Sequence, residues 1–217
     1  MQKNFHRQYS TIVWLLVLLL FSSCRQIDSL IAESPSLPIA NENLETAIFA
    51  GGCFWCTESD FDNLPGVVST TSGYIGGSVI NPTYEQVVAG NTGHVEAVKV
   101  HFDRTKTSFS KLLAAYWLTI DPLTVNRQFC DQGPQYRSVI FYSDAHQKEL
   151  AEASKKALVD SAKFTQPIVT EILPASEFYR AEEYHQDYSL KNPLRYAYYR
   201  NNCGRDKRLE ELWGVKH

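Results

Sequence analysis

Residues 45–58, ETAIFAGGCFWCTE, constrain this chain more than any other stretch. A short apolar run, rich in residues that suit a strand, stops at Gly51-Gly52. A pattern compatible with a helix restarts at Cys53 and runs through CFWCTESDFDNL until Pro65-Gly66. Paired glycines supply the backbone freedom for a sharp reversal. The stretch therefore reads as strand, turn, helix, with Cys53 at the helix N-terminus and Cys56 one turn later. A helix N-terminus stabilises negative charge, so the Cys53 thiol is expected to ionise below its ordinary pKa.

The rest of the chain supplies elements of both kinds. VVSTTSGYIGG is strand-like, and TYEQVVAG gives one or two helical turns. HVEAVKVHFD alternates as a strand, placing His94, Glu96, Val98, Val100 and Phe102 on one face. Glu96 thereby points to a largely apolar side. In SFSKLLAAYWLTI, Phe109, Leu112, Leu113, Tyr116, Trp117 and Ile120 keep the helical period and Ser108 can cap the N-terminus. DPLTVNRQFCDQGPQYR is irregular, and a loop of that length in a compact domain is usually functional or disordered. SVIFYS and PIVTEIL read as strands, and DAHQKELAEASKKALVDSAKF as a charged surface helix. AEEYHQDYSLK is helical up to Asn192-Pro193, and RDKRLEELW closes the chain as an amphipathic turn or two. Strands and helices mix without strict βαβ regularity, which favours an α+β layered domain.

The N-terminal residues stand apart. MQKNFHRQYS carries Lys3, His6 and Arg7, the apolar TIVWLLVLLLF follows, and SSC closes the run. That is the order of a secretory signal, and the run is short for a spanning helix. FSSC resembles a bacterial lipoprotein signal with Cys24 as the lipidated residue, although Phe21 stands where Leu is usual. Residues 1–24 are thus read as a signal peptide or anchor, 25–45 as a polar linker with Pro35 and Pro38, and 46–217 as the folded domain. Export to the cell envelope or periplasm follows, with a membrane attachment only through this N-terminus. A net charge of −3, without a basic stripe or a phosphate-cradling glycine loop, argues against a nucleic-acid partner. No heptad or interface patch argues for more than a monomer.

Cys53 and Cys56 admit three chemistries. A zinc half-site needs a second pair of ligands, whereas Cys130 and Cys203 stand alone in the sequence, so no metal is expected. A strand followed by Cys-x-x-Cys at a helix start is a thioredoxin-like signature, which reads as a redox dithiol. The third reading is a single thiolate at Cys53 with Phe54 and Trp55 walling a small apolar pocket. Two buried cysteines and two core aromatics are the plain alternative. Spacing does not separate these.

GGCFWCTE, together with GHVEAV, DQGPQYRS and AEEYHQDY, resembles the peptide methionine sulfoxide reductases of the A class, from about Thr46 to Gly214. The resemblance implies a two-layer α/β sandwich, a ferredoxin-like mixed sheet with flanking helices. It implies that Cys53 attacks the sulfoxide sulfur, that Phe54 and Trp55 line a methyl slot, and that Glu96 protonates the sulfoxide oxygen. Desolvation of Glu96 on its apolar face would raise its pKa for that task. Tyr84 and Tyr136 match tyrosines that hydrogen-bond the oxygen, Asp131 a substrate-side acid, and His185 and Tyr188 positions near the site. The product would be methionine and a Cys53 sulfenic acid, which condenses with a thiol to a disulfide. Relatives supply that thiol from the C-terminal region, which points to Cys203; Cys56 and Cys130 are the other candidates. No bound cofactor is implied, and thioredoxin or another dithiol would return the enzyme to its reduced form. The substrates would be proteins carrying methionine-(S)-sulfoxide. Two other functions compete: a thiol-disulfide oxidoreductase using the Cys53-Cys56 dithiol, and an envelope lipoprotein without activity. Glu96 argues against the first, because disulfide exchange needs no carboxylic acid over the thiol, and the intact motifs argue against the second.

Overall fold

A computed structural model describes residues 42–214. The signal or anchor, Cys24 and all but the last residues of the linker lie outside the described residues. The first strand, β1 (Leu44–Gly51), begins slightly before the expected domain start, and it runs into α1 (Phe54–Asp62) as the sequence indicates. There follow β2 (Val67–Ile75), α2 (Tyr84–Val88), β3 (Val95–Asp103), α3 (Phe109–Leu118), β4 (Arg127–Gln128) and β5 (Asp131–Gln132). Next come a 3-10 turn at Pro134–Tyr136, β6 (Ser138–Tyr142), α4 (Ala145–Asp160), β7 (Glu171–Pro174) and β8 (Tyr179–Arg180). A second 3-10 turn at Glu183–His185 leads to α5 (Tyr188–Lys191), α6 (Pro193–Asn202) and α7 (Arg205–Trp213).

The six-stranded sheet has the order β7-β6-β1-β3-β2-β8, and β4 and β5 make a separate small ladder. β1 pairs antiparallel with β3 and β6, β2 antiparallel with β3 and β8, and only β6 and β7 run parallel. The fold is α+β, with a mixed sheet and flanking helices. Alternation places Ala47, Phe49, Val98, Val100 and Phe102 in one core, where α1 and α3 pack, and Ile48, Ala50, Ala97, Val139 and Phe141 in a second core across the sheet. Phe49 is fully buried between Phe61 of α1 and Tyr116 of α3, each with ring centroids 5.0 Å away. Burial of such a ring is worth about 1.5–3 kcal/mol. The Tyr116 hydroxyl donates to the Ala50 carbonyl at 2.8 Å, which fixes α3 to the end of β1.

Three expectations need correction. β7 is shorter than PIVTEIL, because the Val169 amide is drawn off to the Pro122 carbonyl. The 181–191 segment is not one helix: Asp187 sits in the left-handed region at φ 51° and separates a 3-10 turn from the single turn of α5. Pro193 does not end helical structure but opens α6 at its first position, where the missing proline amide has no intrahelical partner to lose.

Candidate active site

The turn between β1 and α1 fixes the site. Gly52 has φ +84°, and a Cβ there would lie 2.5 Å from that of Gln128. Only glycine meets both demands. Gln128 is itself buried and tied to the Asp121 backbone at both ends of its amide. Cys53 is the N-cap of α1, and its carbonyl accepts from the Cys56 and Thr57 amides. Its side chain makes no cap bond. The cap comes instead from β3: Glu96 Oε2 accepts the Phe54 amide at 2.9 Å. One of the orphan donors of the first turn is thus spent on a buried carboxyl that lines the same cavity as Cys53.

Glu96 is 2 % exposed on β3, opposite Tyr74 of β2. Burial raises its carboxyl to about pKa 8, with Asp131 and Cys56 adding to the rise and the Phe54 amide only partly offsetting it. Near neutral pH it is a buried, protonated acid. Cys53 departs from the expected direction. Burial pushes its thiol well above the ordinary value, and Cys56, Glu96 and Asp131 push the same way. The helix N-terminus does not overcome that desolvation. The neighbouring Cys53 thiol, with Arg205 and Arg200, draws the Cys56 pKa down against its own burial. Both thiols are free and buried.

Cys53, Phe54, Trp55, Tyr84, Glu96, Asp131, Tyr136 and Tyr199 line one cavity of about 210 Å³. That is smaller than the roughly 300–1,000 Å³ of sites for drug-sized ligands and suits one side chain. Larger clefts lie between Thr124 and Glu171 and beside α4, but neither is lined by a cysteine. Burial also raises the phenols of Tyr84 and Tyr136, which remain neutral donors. α2 is held in place by Glu182, which accepts from the Tyr84 amide at 2.9 Å and the Tyr74 hydroxyl at 2.7 Å.

His185 and Tyr188 do not line the cavity. Tyr188 stacks on Trp55 with centroids 3.7 Å apart, and His185 Nδ1 accepts from Trp55 Nε1 at 3.0 Å. They hold the wall from behind. Tyr199 is the cavity residue that sequence reasoning passed over. It stands on α6, meets Trp55 edge-on, and donates to Asp131 Oδ2 at 2.6 Å. Its only signal was the tyrosine-rich RYAYYR, which has no distinguishing pattern.

Cys130 and Cys203, separate in the sequence reading, are joined in a disulfide. Cys203 is therefore not a free thiol here. Their sulfurs and Asp131 are close enough together to suggest a metal cluster, but both sulfurs are spent on one another. The disulfide ties the β4–β5 ladder, which carries Asp131, to the end of α6, which carries Tyr199.

A buried acid above a buried thiol, in a cavity the size of a side chain, matches what the comparisons find. A model of the peptide methionine sulfoxide reductase family covers residues 45–217. The chain belongs to that family. It is an oxidoreductase, a peptide-methionine (S)-S-oxide reductase. The reductase is 51% identical to peptide methionine sulfoxide reductase MsrA of Bacillus licheniformis over 176 residues, 81% of this chain and 97% of that protein. The Bacillus subtilis MsrA is 49% identical over 81% of this chain and 99% of its own. Among solved structures, methionine sulfoxide reductase A of Corynebacterium diphtheriae superposes with a TM-score of 0.64 at 37% identity, covering 71% of this chain and 78% of that one. Mxr1 of Saccharomyces cerevisiae in its reduced form gives 0.65 at 31% identity, over 70% and 87%. The family's chemistry uses no bound cofactor.

Proposed function

We propose that the reductase binds the methionine-(S)-sulfoxide side chain of an oxidised protein in the Cys53 cavity, with Glu96 as the acid on the sulfoxide oxygen. The observation that carries this assignment is Glu96, protonated to about pKa 8 in the same cavity as Cys53. Oxygen passes from substrate to enzyme: sulfoxide and Cys53 thiol give methionine and Cys53 sulfenic acid. Glu96 gives a proton to the oxygen as the nucleophile attacks sulfur, and the proton lost by the thiol restores it. Tyr84 and Tyr136 orient the oxygen by hydrogen bonds, while Phe54 and Trp55 enclose the methyl group. Asp131, steadied by Tyr199, forms the substrate-side wall.

Cys56 then resolves the sulfenic acid. It is a free, buried thiol one turn along α1 from Cys53, whereas Cys203 is engaged with Cys130. A thioredoxin-like dithiol reduces the resulting disulfide. Export rests on the basic, apolar and SSC segments of residues 1–24, with Cys24 as the lipidation site, and it requires a reductant able to work outside the cytosol. The chain connections β1-α1-β2 and β3-α3-β6, with β6-β1-β3-β2 as the sheet centre, support the ferredoxin-like reading of the two-layer core.

The test is a peptide bearing racemic methionine sulfoxide, incubated with reductase and dithiothreitol and followed by chiral chromatography. Consumption of the S epimer alone, abolished in Cys53→Ser and kept in Cys56→Ser, is the expected result. If neither epimer is consumed while insulin disulfides are reduced and both cysteines are needed, the site is a dithiol exchanger.

A further inference from the structure

The start of α7 places a cation beneath the dithiol turn. Gly204, in the left-handed conformation, precedes Arg205, whose side chain is 1 % exposed. Its Nη1 donates to the Gly51 carbonyl at 3.2 Å and its Nη2 to the Thr119 carbonyl at 2.7 Å. Nη2 also reaches Asp60 Oδ2 at 3.3 Å, and the guanidinium lies 4.5 Å over the Phe129 ring. Asp60 follows Cys56 at i+4 on α1, so the two share a helix face. A guanidinium that touches both Gly51 and Asp60 therefore spans the buried side of the turn that carries Cys56.

The charge balance around it is incomplete. Asp60 is shared, because Arg200 Nη1 takes its other oxygen at 2.8 Å. Arg200 has a second carboxylate in Asp206, but that group lies further toward solvent. Arg205 Nε is buried without a hydrogen-bond partner. A buried cation with a shared counter-ion and an idle donor is costly unless something else compensates it. A sulfur anion at Cys56 would do so.

We propose that Arg205 is a positioning residue for the second half-reaction, its buried guanidinium supplying the counter-charge for the Cys56 sulfur as it attacks the Cys53 sulfenic acid. This rests on the assignment of Cys56 as resolving cysteine. In the step, the Cys56–Cys53 S–S bond forms and the S–O bond of the sulfenic acid breaks. Oxygen leaves as water, carrying the sulfenic proton and the proton of the Cys56 thiol. The groups that act on Cys56 are Cys53 and Asp60 on its own helix, Glu96 on β3, Tyr196 and Arg200 on α6, and Arg205 on α7. Arg205 and Arg200 lower its pKa and Asp60 raises it, while burial opposes ionisation.

The experiment uses reduced, desalted reductase mixed with one equivalent of the S-sulfoxide peptide across a pH series. Samples are quenched, alkylated and mapped by mass spectrometry, so that methionine formation and Cys53–Cys56 disulfide formation are read separately. In Arg205→Met, disulfide formation near pH 7 should slow by about tenfold or more, with its pH midpoint displaced upward, because each pKa unit changes the thiolate fraction about tenfold. Methionine formation should slow far less, and Arg205→Lys should recover much of the loss. Asp60→Asn should move the midpoint downward, and it gives a second reading if Arg205→Met does not fold. An unchanged midpoint in the folded Arg205→Met, an Arg205→Lys as slow as Arg205→Met, or an upward midpoint in Asp60→Asn would overturn the proposal. If Cys56→Ser still closes a disulfide on Cys53, the assignment of the resolving cysteine fails instead.

Discussion

The two cysteine pairs of this domain have the same atoms and opposite circumstances. Cys53 and Cys56 are buried, reduced and held on one turn of α1 beneath Glu96. Cys130 and Cys203 are bonded to each other nearer the surface, joining a short ladder to the end of α6. A thiol becomes a reagent when its surroundings provide a proton, a pocket and a nearby second sulfur. Where it meets only another loop, it becomes a cross-link. In the reaction proposed above the first pair carries the chemistry, and the second ties the ladder bearing Asp131 to the helix bearing Tyr199.

The sharpest way to break that contrast is to remove Cys53. Cys53→Ser should lower sulfoxide reduction by about a thousandfold or more, since Cys53 is the cysteine that lines the cavity with Glu96. Survival of activity, measured as methionine released per enzyme, would mean that Cys56, the free thiol left in the site, can attack the sulfoxide in its place. Next in size is Glu96→Gln, expected to lose roughly 10²–10⁴-fold in the rate of methionine formation, the usual range for a general acid. The same variant has a stability signature. Glu96 has a higher pKa folded than unfolded, so its contribution is complete below the unfolded value near 4.5 and is lost as pH rises toward about 8. Chemical denaturation should therefore show Glu96→Gln gaining on the parent protein as pH rises from about 4.5 to about 8, and levelling off above that. A parallel pH dependence for the two proteins would place the buried proton elsewhere.

Cys56→Ser should complete one turnover at nearly the parent rate, then stall. With a protein dithiol as reductant, its steady-state rate should fall about tenfold or more, because the sulfenic acid has lost its partner. The smallest catalytic effect should come from replacing both Cys130 and Cys203 by Ser. Turnover should change by no more than about twofold, while unfolding free energy drops by about 2–4 kcal/mol with the loss of a cross-link. A large fall in turnover with intact stability would give the surface pair a redox role.

Much of the site was legible because its parts are local. The strand, the paired glycines and the helix start follow from ETAIFAGGCFWC, and the alternation of HVEAVKVHFD alone turns Glu96 toward the core. What escaped depends on contacts distant in sequence. Nothing near Cys130 announces Cys203, 73 residues away. Tyr199 gains its place only from the packing of α6 against Trp55, and Arg205 only from docking α7 under Gly51. The Cys53 pKa went the other way for a related reason. A helix N-terminus can be read from sequence, but the depth of burial that opposes it cannot.

The most direct test is the pH dependence of methionine formation in the first turnover, for the parent protein and Glu96→Gln. With Glu96 as the acid, the rate should fall as pH rises through about 8, and the fall should vanish in Glu96→Gln. A rate that instead rises through that range, equally in both proteins, would mean that ionisation of Cys53 alone governs the reaction and that Glu96 is not its proton donor.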